Sequence, residues 1–328
     1  MDVAVTGATG HLGGNLVRAL LEEGRSVRVL VRSDRRAIDG LPVEVVEGDV
    51  LDPEALARLF RGVGTVFHLA ARISIVGSEG GLVERTNVGG PRNAVRACRE
   101  AGVGRLVHVS SIHAFDTDPS DREIDETRAP ALDAHHMAYD RSKAMGQAVV
   151  LEAVREGLDA VIVNPAALLG PHDHKISRMG EVLLDIYHRR LPALIDGGYN
   201  WVDVRDVVSG ILAAERRGRT GECYLLTGHW AHVCELSALV AELTGRKTPR
   251  GRTPLWLAMV ASYPALWWGL LRGRAPKFSP GAIRSIRMHR HISHAKATAE
   301  LGYEPRPLRD TVRDTLEWFR GEGLLDEA

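Results

Sequence analysis

Tyr139-Asp140-Arg141-Ser142-Lys143 places a phenol and an ammonium four residues apart. On a helix that spacing puts both side chains on one face, with Cβ atoms about 5–6 Å from each other. A free phenol has a pKa of about 10 and is a weak acid–base catalyst at neutral pH. A neighbouring positive charge favours phenolate and brings the group toward working range. Ser110-Ser111 directly follow the apolar run Arg105-Leu106-Val107-His108-Val109, where a hydroxyl would stand at the carboxyl end of a strand. Such a hydroxyl can hold a carbonyl oxygen while Tyr139 gives or takes its proton. Alone, Y-x-x-x-K recurs by chance and also describes a tyrosine packed on a lysine stem. The elements around it therefore decide.

Those elements begin at the N-terminus. The segment Thr6 to Gly14, TGATGHLGG, lies between the apolar run Val3-Ala4-Val5 and the stretch Leu16 to Leu21. A strand, a glycine turn and an amphipathic helix in that order make a site for a dinucleotide pyrophosphate. Gly7 permits a positive φ, Gly10 lets backbone N–H groups reach phosphate, and Gly13 lets the helix pack close to the strand. The helix N-terminus turns unpaired N–H groups toward the anion, so His11 and Leu12 count with the glycines as cofactor-binding. A nicotinamide ring bound beside Tyr139 and Lys143 would add to the charge that favours phenolate.

After the first helix, closed by Gly24, strands are predicted at 27–31, 43–47, 65–69 and 105–109. Helices run from Pro53 through Phe60, then up to about Gly102, then over 136–156, before a strand at 160–163. Apolar strands separated by helices predict an α/β fold: a doubly wound parallel Rossmann sheet with its ligand at the carboxyl ends of the strands. After Pro165 the rhythm breaks. Helices are expected near 177–190, 205–216, 233–244, 255–271, 280–290 and 308–320, with one more strand at 223–226. The dinucleotide-binding domain is thus expected over 1–165, with 200–228 returning to it. A smaller, mostly helical substrate lobe takes 166–199 and 229–328.

Bulk properties narrow the partners. The 42 basic and 42 acidic residues cancel, so no global field draws this chain of 328 residues to nucleic acid. The three cysteines, Cys98, Cys223 and Cys234, are widely spaced and read as buried thiols of a reducing, cytoplasmic compartment. The chain starts at once on a core strand, which leaves no room for a signal peptide. Leu255 to Leu271, LWLAMVASYPALWWGLL, is nearly uncharged, but it is short for a span, Pro264 interrupts it, and Arg250, Arg252, Arg272 and Arg274 flank it. It is expected to wall an apolar substrate pocket, or to touch a membrane surface peripherally with Trp267 and Trp268 as anchors.

With these segments in hand, the chain resembles an extended short-chain dehydrogenase/reductase over nearly its whole length. The resemblance rests on TGATGHLGG, GDVLD (48–52), HLAA (68–71), TNVGG (86–90), GVGRLVHVSS, YDRSK, NPAALLGP (164–171), WVDVRDV (201–207) and LGYEPRP (301–307). It is most similar to the dihydroflavonol-reductase-like and 3β-hydroxysteroid-dehydrogenase-like branch, because Asn164-Pro165 stands where sugar-nucleotide enzymes often carry Arg-Pro. The resemblance implies Ser111, not Ser110, as catalytic serine beside Tyr139 and Lys143. It also implies Asp49 and Val50 at the adenine, and Leu69, Ala70, Ala71 and Pro165 along the cofactor. The family often dimerises through the helices that include the Tyr–Lys pair, so a homodimer is expected.

Two departures stand out. Pro91 replaces a threonine in a helix, where an uninterrupted helix would lose about 3 kcal/mol. The helix must bend or restart at Gly89-Gly90-Pro91, which would displace Asn87, a brace of the family's active site. Gly146, a poor helix former, allows close contact with the cofactor loop or a neighbouring subunit.

Cofactor choice follows from charge. Where an NAD enzyme places a carboxylate on the ribose, this chain has Arg32-Ser33-Asp34-Arg35-Arg36. Arg32 is placed to meet a 2′-phosphate with bidentate bonds, joined by Arg35 or Arg36. NADP is favoured, with NAD left open through Asp34. No metal site is expected: His172-Asp173-His174 lacks a third ligand nearby, and His289, His291 and His294 do not share a helical face. His135-His136 read as helix entry, His113 as a possible pocket wall, and Asp203, Arg205 and Asp206 as an ion-pair and capping device.

The expected function is NADPH-dependent hydride transfer to or from an apolar ketone, aldehyde or secondary alcohol, a small-molecule substrate. The rival enzyme is an NAD-dependent nucleotide-sugar epimerase or dehydratase gripping a diphosphate through Arg189, Arg190 and Arg284. A non-catalytic cofactor-sensing scaffold is the alternative outside catalysis.

Overall fold

Period-two burial builds the sheet. In β1 (Val3–Thr6), Val3 and Val5 face one apolar core and Ala4 the other. The same split recurs in β2 (Val27–Val31), where Val27, Val29 and Val31 oppose Leu30. β3 (Glu44–Glu47) closes the edge; β4 (Thr65–His68), β5 (Arg105–Val109) and β6 (Ala160–Pro165) extend the other side. Each fully buried valine or leucine stabilises by about 1.5–3 kcal/mol, so burial on both faces holds these strands inside the molecule.

The computed structural model describes residues 1–74, 77–119, 122–191, 194–249, 251–271 and 291–326, with side chains at 261 and 265–271 outside that description. The helix expected at 280–290, and the residues Arg250, Arg272, Arg274, Arg284 and His289, lie outside it too, as do the side chains of Trp267 and Trp268.

Helices cover both faces. α1 (His11–Glu22) packs Leu12, Leu16 and Leu20 on the first core. α2 (Pro53–Phe60) packs Leu56, Leu59 and Phe60 on the second. A single helical turn, α3 (Leu82–Glu84), runs through a π-helical turn (Arg85–Gly89) into α4 (Gly90–Ala101), and α5 (Ala138–Arg155) lies beside it. With β10 (Cys223–Leu226) at the far edge, the seven strands stand in the order β10-β6-β5-β4-β1-β2-β3, all neighbours parallel. The order reverses between β1 and β4, and ligands of such sheets bind outside the carboxyl ends at that point.

The C-terminal region holds a third core around Leu183, Tyr187, Trp201, Leu236 and Phe319. Its helices include α6 (Arg178–Tyr187), α7 (Val204–Arg217), α8 (Val233–Thr244) and α9 (Leu255–Leu271). Sequence patterning missed a three-stranded sheet here: β7 (Ala167–Leu169) and β11 (His229–His232) flank β9 (Gly198–Asp203). It also missed a two-residue pair, β8 (Leu194–Ile195) with β12 (Arg252–Thr253), and the helix Ala295–Leu301. These strands are short, and their pairing is non-local.

The acid–Arg–acid run does what was expected. Asp203 caps α7 by accepting from Arg205 N at 2.8 Å, and Arg205 also reaches Asp314. Arg306 donates to Asp206, and Tyr303 Oη to Thr227 O at 2.9 Å, fastening the C-terminal segment to the sheet. Cys98 is buried, whereas Cys223 and Cys234 are half-buried, less hidden than expected. Among the described residues no helix is long and apolar enough to cross a membrane.

Candidate active site

The glycine turn is tight because neighbours leave no room for side chains. Gly7 has φ +74°, and a Cβ there would stand 2.8 Å from Ala70 N and Leu69 C. A Cβ on Gly13 would stand 2.1 Å from Gly7 O, so the first turn of α1 presses onto the strand end. Leu69 N and Ala70 N both donate to Thr6, at its carbonyl and its hydroxyl. The HLAA turn is thereby locked against the glycine loop across the switch point. First-turn N–H groups of a helix have no intrahelical acceptor, so the backbone at His11, Leu12 and Gly13 forms a cradle that fits a pyrophosphate. His11 Nε2 lies 3.0 Å from Pro171 O, and Asn15 Nδ2 donates to the same carbonyl at 3.1 Å. The loop after β7 is thus pinned beside the cradle.

At the end of β2, Arg32 is exposed and lies 3.6 Å from Asp49. Asp34 accepts from Arg36 and lies 3.5 Å from Lys175; the Arg36 bonds hold its carboxyl well below the usual range. Arg35 pairs with Glu47. Asp49 Oδ1 also accepts from Leu51 N, and Asn93 Nδ2 donates to Val50 O, which sets the turn into α2. Pro165 ends β6, buried opposite Leu226.

Tyr139 and Lys143 project from the buried face of α5, 8% and 4% exposed, and Ser111, also 8% exposed, follows β5. The Ser111 hydroxyl bonds the phenol. Lys143 Nζ donates to Val109 O at 3.1 Å. Four-residue spacing was expected to make the lysine acidify the tyrosine. Instead, burial pushes the phenol up to about 12, opposed by the Ser111 bond and by the positive Arg178, while burial pushes Lys143 down to about 8. The protein's own groups hold Tyr139 as the neutral acid.

Several partners escaped the sequence because their contacts are long-range. Arg178 opens α6, and its charge acts on Tyr139. Asn164 Nδ2 donates to Ser111 O and to Gln147 Oε1, both at 2.8 Å, joining β6, the serine turn and α5. Asp140, inside the Tyr–Lys motif, pairs with His113 Nδ1 at 2.9 Å, and the His113 ring meets the Tyr139 ring edge-on at 5.3 Å. His113 thus borders the phenol.

Asn87 is not displaced. The π-helical turn absorbs the strain of Pro91, which sits in the first turn of the restarted α4. Asn87 Nδ2 donates to Arg72 O and to Ser142 Oγ, and its Oδ1 accepts from Arg72 N at 2.7 Å. Gly146 serves this turn: a Cβ there would stand 2.1 Å from Asn87 O. Its close neighbour is therefore the Asn87 turn, not the cofactor loop.

The remaining histidines divide. His172 and His174 stack near Trp318 while Asp173 accepts from Ser177 N ahead of α6. Burial pushes His172 down to about 4. His294 lies 3.2 Å from Thr227 Oγ1. His135 and His136 precede α5, which starts at Ala138, and face Asp118 and Asp116. Arg190 is taken up by Asp185.

Comparison with known proteins agrees with this geometry. Residues 3–226 match the model of the NAD dependent epimerase/dehydratase family. The chain is 37% identical to "Sterol demethylase protein B" of Methylococcus capsulatus over 99% of its own length and 100% of that protein's. It is 33% identical to a "Putative dihydroflavonol 4-reductase" of Synechocystis, covering 98% and 95%. The crystal structure of gox2253 superposes with a TM-score of 0.86 at 34% identity, covering 99% of both chains. A glycine cradle at the switch point, a buried Tyr–Lys–Ser group and a match across most of the chain have one reading: it is an NAD(P)-dependent oxidoreductase-type enzyme belonging to the NAD dependent epimerase/dehydratase family of extended short-chain dehydrogenases/reductases.

Proposed function

We propose that this enzyme is an NADPH-dependent carbonyl reductase, or alcohol dehydrogenase in reverse, for apolar ketones, aldehydes and secondary alcohols. One observation carries the reading: the Tyr139 phenol and the Ser111 hydroxyl share a buried site where β5 ends, and Lys143, one helical turn along α5, is buried there on Val109 O. The nicotinamide cofactor supplies or accepts the hydride when bound. In reduction, Ser111 donates a hydrogen bond to the substrate carbonyl oxygen, and Tyr139 Oη delivers the proton that oxygen needs. A phenol pushed up to about 12 keeps its proton at neutral pH, which is the form that reduction needs. Lys143, anchored on Val109 O, holds ribose and offsets the charge left on the phenolate.

Gly7, Gly10, His11, Leu12, Gly13, Asp49, Val50, Leu69, Ala70, Ala71 and Pro165 would bind the rest of the cofactor. Residues 1–165 with 200–228 form the cofactor part, and 166–199 with 229–328 the substrate lobe. Arg32 supports NADP over NAD, since it is exposed at the β2 end while Asp34 is engaged by Arg36 and Lys175. An apolar, sterol-like substrate is suggested by the name of the Methylococcus relative. We place the enzyme in the cytoplasm, in contact with lipid surfaces through α9, and paired with a second copy along the α4–α5 groove. That groove sets Val95, Val149 and Ala153 among Arg96, Arg99, Glu100 and Glu156.

The test is turnover of apolar ketones with NADPH, together with cofactor fluorescence titration and light-scattering mass. Tyr139→Phe should lower kcat by about 10²–10⁴-fold with NADPH binding retained, and Arg32→Glu should reverse the preference between NADPH and NADH. Turnover of a UDP-sugar with tightly held NAD, and none of ketones, would overturn the reading.

A further inference from the structure

We propose that Asp116, His135 and His136 form a site for a divalent transition-metal ion of the zinc type, at the base of the segment joining β5 to α5. One nitrogen from each imidazole and one carboxylate oxygen all lie within 4.8 Å of one another. His136 Nε2 and Asp116 Oδ1 are 3.5 Å apart. Ligand atoms on a tetrahedral zinc, with bonds of about 2.0–2.1 Å, stand about 3.4 Å from each other. That pair is already spaced as a metal edge, too far for a good hydrogen bond.

A second observation points the same way. The His136 side chain is 4% exposed, and its Nε2 has no hydrogen-bond partner. A buried imidazole nitrogen is normally satisfied, and here it is aimed at a carboxylate across an ion-sized gap. His135 stands on the open side, 56% exposed, with its ring 4.1 Å from that of His136. Its exposure leaves a path by which an ion can enter. Asp118 flanks the site, 3.8 Å from His135 Nε2, and its N–H donates to Asp116 Oδ1, which orients that carboxylate.

Two imidazoles and one carboxylate suit zinc, copper or nickel and disfavour magnesium and calcium, which want oxygen ligands. Three protein ligands leave a fourth position for water. The fold shows what the ion would hold. Asp116 N donates to Ala129 O at 2.7 Å, Ala131 N to Ala114 O at 2.9 Å, and Phe115 bridges Pro130. Asp116 thus stands at the closed base of one loop, and His135-His136 follow a few residues past its other side. An ion would staple that loop three residues ahead of Tyr139 and fix the entrance of α5. The binding claim does not depend on the proposed reaction.

The untagged full chain, treated with EDTA and dialysed, is titrated with Co²⁺ for the ligand-field absorption of a four-coordinate site, and with Zn²⁺ by calorimetry. One ion per chain should bind with micromolar affinity or tighter, Mg²⁺ should not compete, and Zn²⁺ should raise Tm. His136→Ala and Asp116→Asn should each weaken binding by about tenfold or more. His135→Ala, at an exposed position that folding tolerates, should do the same and abolish the Tm rise, whereas His174→Ala should bind like the wild type. Millimolar or weaker binding by the wild type would overturn the proposal. So would equal affinity in folded His135→Ala and wild-type protein.

Discussion

Burial acts on the two titrating side chains of α5 in the same sense, against charge, and so moves their pKa values apart. The Tyr139 phenol goes up to about 12 and the Lys143 ammonium down to about 8. For Lys143 the gap between the ordinary 10.5 and about 8 corresponds to roughly 3 kcal/mol. The sign follows from proton counts: between those values the unfolded chain holds a proton that the folded chain has lost, so stability rises with pH across that window. Below about pH 8 both states are charged, and the folded state bears the whole burden of a buried ammonium. Lys143→Met should therefore unfold at higher urea concentration than wild type at pH 7. The gain is up to about 3 kcal/mol, less about 1 kcal/mol for the lost bond to Val109 O. It should shrink as the pH approaches 10, while turnover is lost throughout. Equal or lower stability at pH 7 would mean that the ammonium is better solvated than its burial implies. A side chain kept at such a cost belongs to function.

The same trade between stability and placement recurs one level up, where the π-helical turn meets α5. Asn87 bonds Ser142, next to Lys143, while Gly146 lets the Asn87 carbonyl approach the helix backbone. Gly→Ala inside a helix ordinarily stabilises by about 1 kcal/mol. Here the added methyl would stand 2.1 Å from a backbone oxygen, which must move. Gly146→Ala should destabilise by about 1–3 kcal/mol in denaturant melts and lower kcat more than it raises KM, because the shift passes through Asn87 to Ser142. A stabilised, fully active variant would refute the coupling. Local spacing had announced the pieces of this site: the Gly7–Gly10–Gly13 turn, the Tyr139–Lys143 step and the break at Pro91 are all legible within a dozen residues. The form of the break was not, since proline says that a helix must yield and not that a wide turn will keep Asn87 in place. Contacts such as Asn164 with Gln147, or Arg178 with Tyr139, join residues that only the finished sheet brings together. The strands at 167–169 and 229–232 were missed because they are too short to show alternation, and 198–203, GYNWVD, because glycine, asparagine and aspartate interrupt its apolar pattern.

At the scale of the molecule, the parallel sheet and its two cores follow from apolar strands whose residues face one core and then the other, whereas the C-terminal region includes a helix with exposed apolar residues. Along α9, Trp256 is 69% exposed, Val260 62% and Tyr263 51%, and they follow a helical stripe, while Ala258 and Ser262 face inward. Expected to wall a pocket or graze a membrane, the described part of the helix presents its bulk outward, and the second role is the one we propose. A lipid-like substrate would then enter from the surface on which it is dissolved. With 42 basic and 42 acidic residues the chain has no general attraction for anionic lipid. Binding should therefore rest on apolar burial and be similar on zwitterionic and anionic vesicles. Removing Trp256 and Val260 from that contact takes away about 3 kcal/mol of burial, roughly a hundredfold in partitioning. Trp256→Ser with Val260→Ser should sediment with phosphatidylcholine vesicles about that much less than wild type. It should still reduce a small water-soluble ketone at the wild-type rate and lose activity only toward a vesicle-borne one. Unchanged sedimentation would detach α9 from lipid, and loss of the soluble-ketone activity would return the helix to the pocket wall.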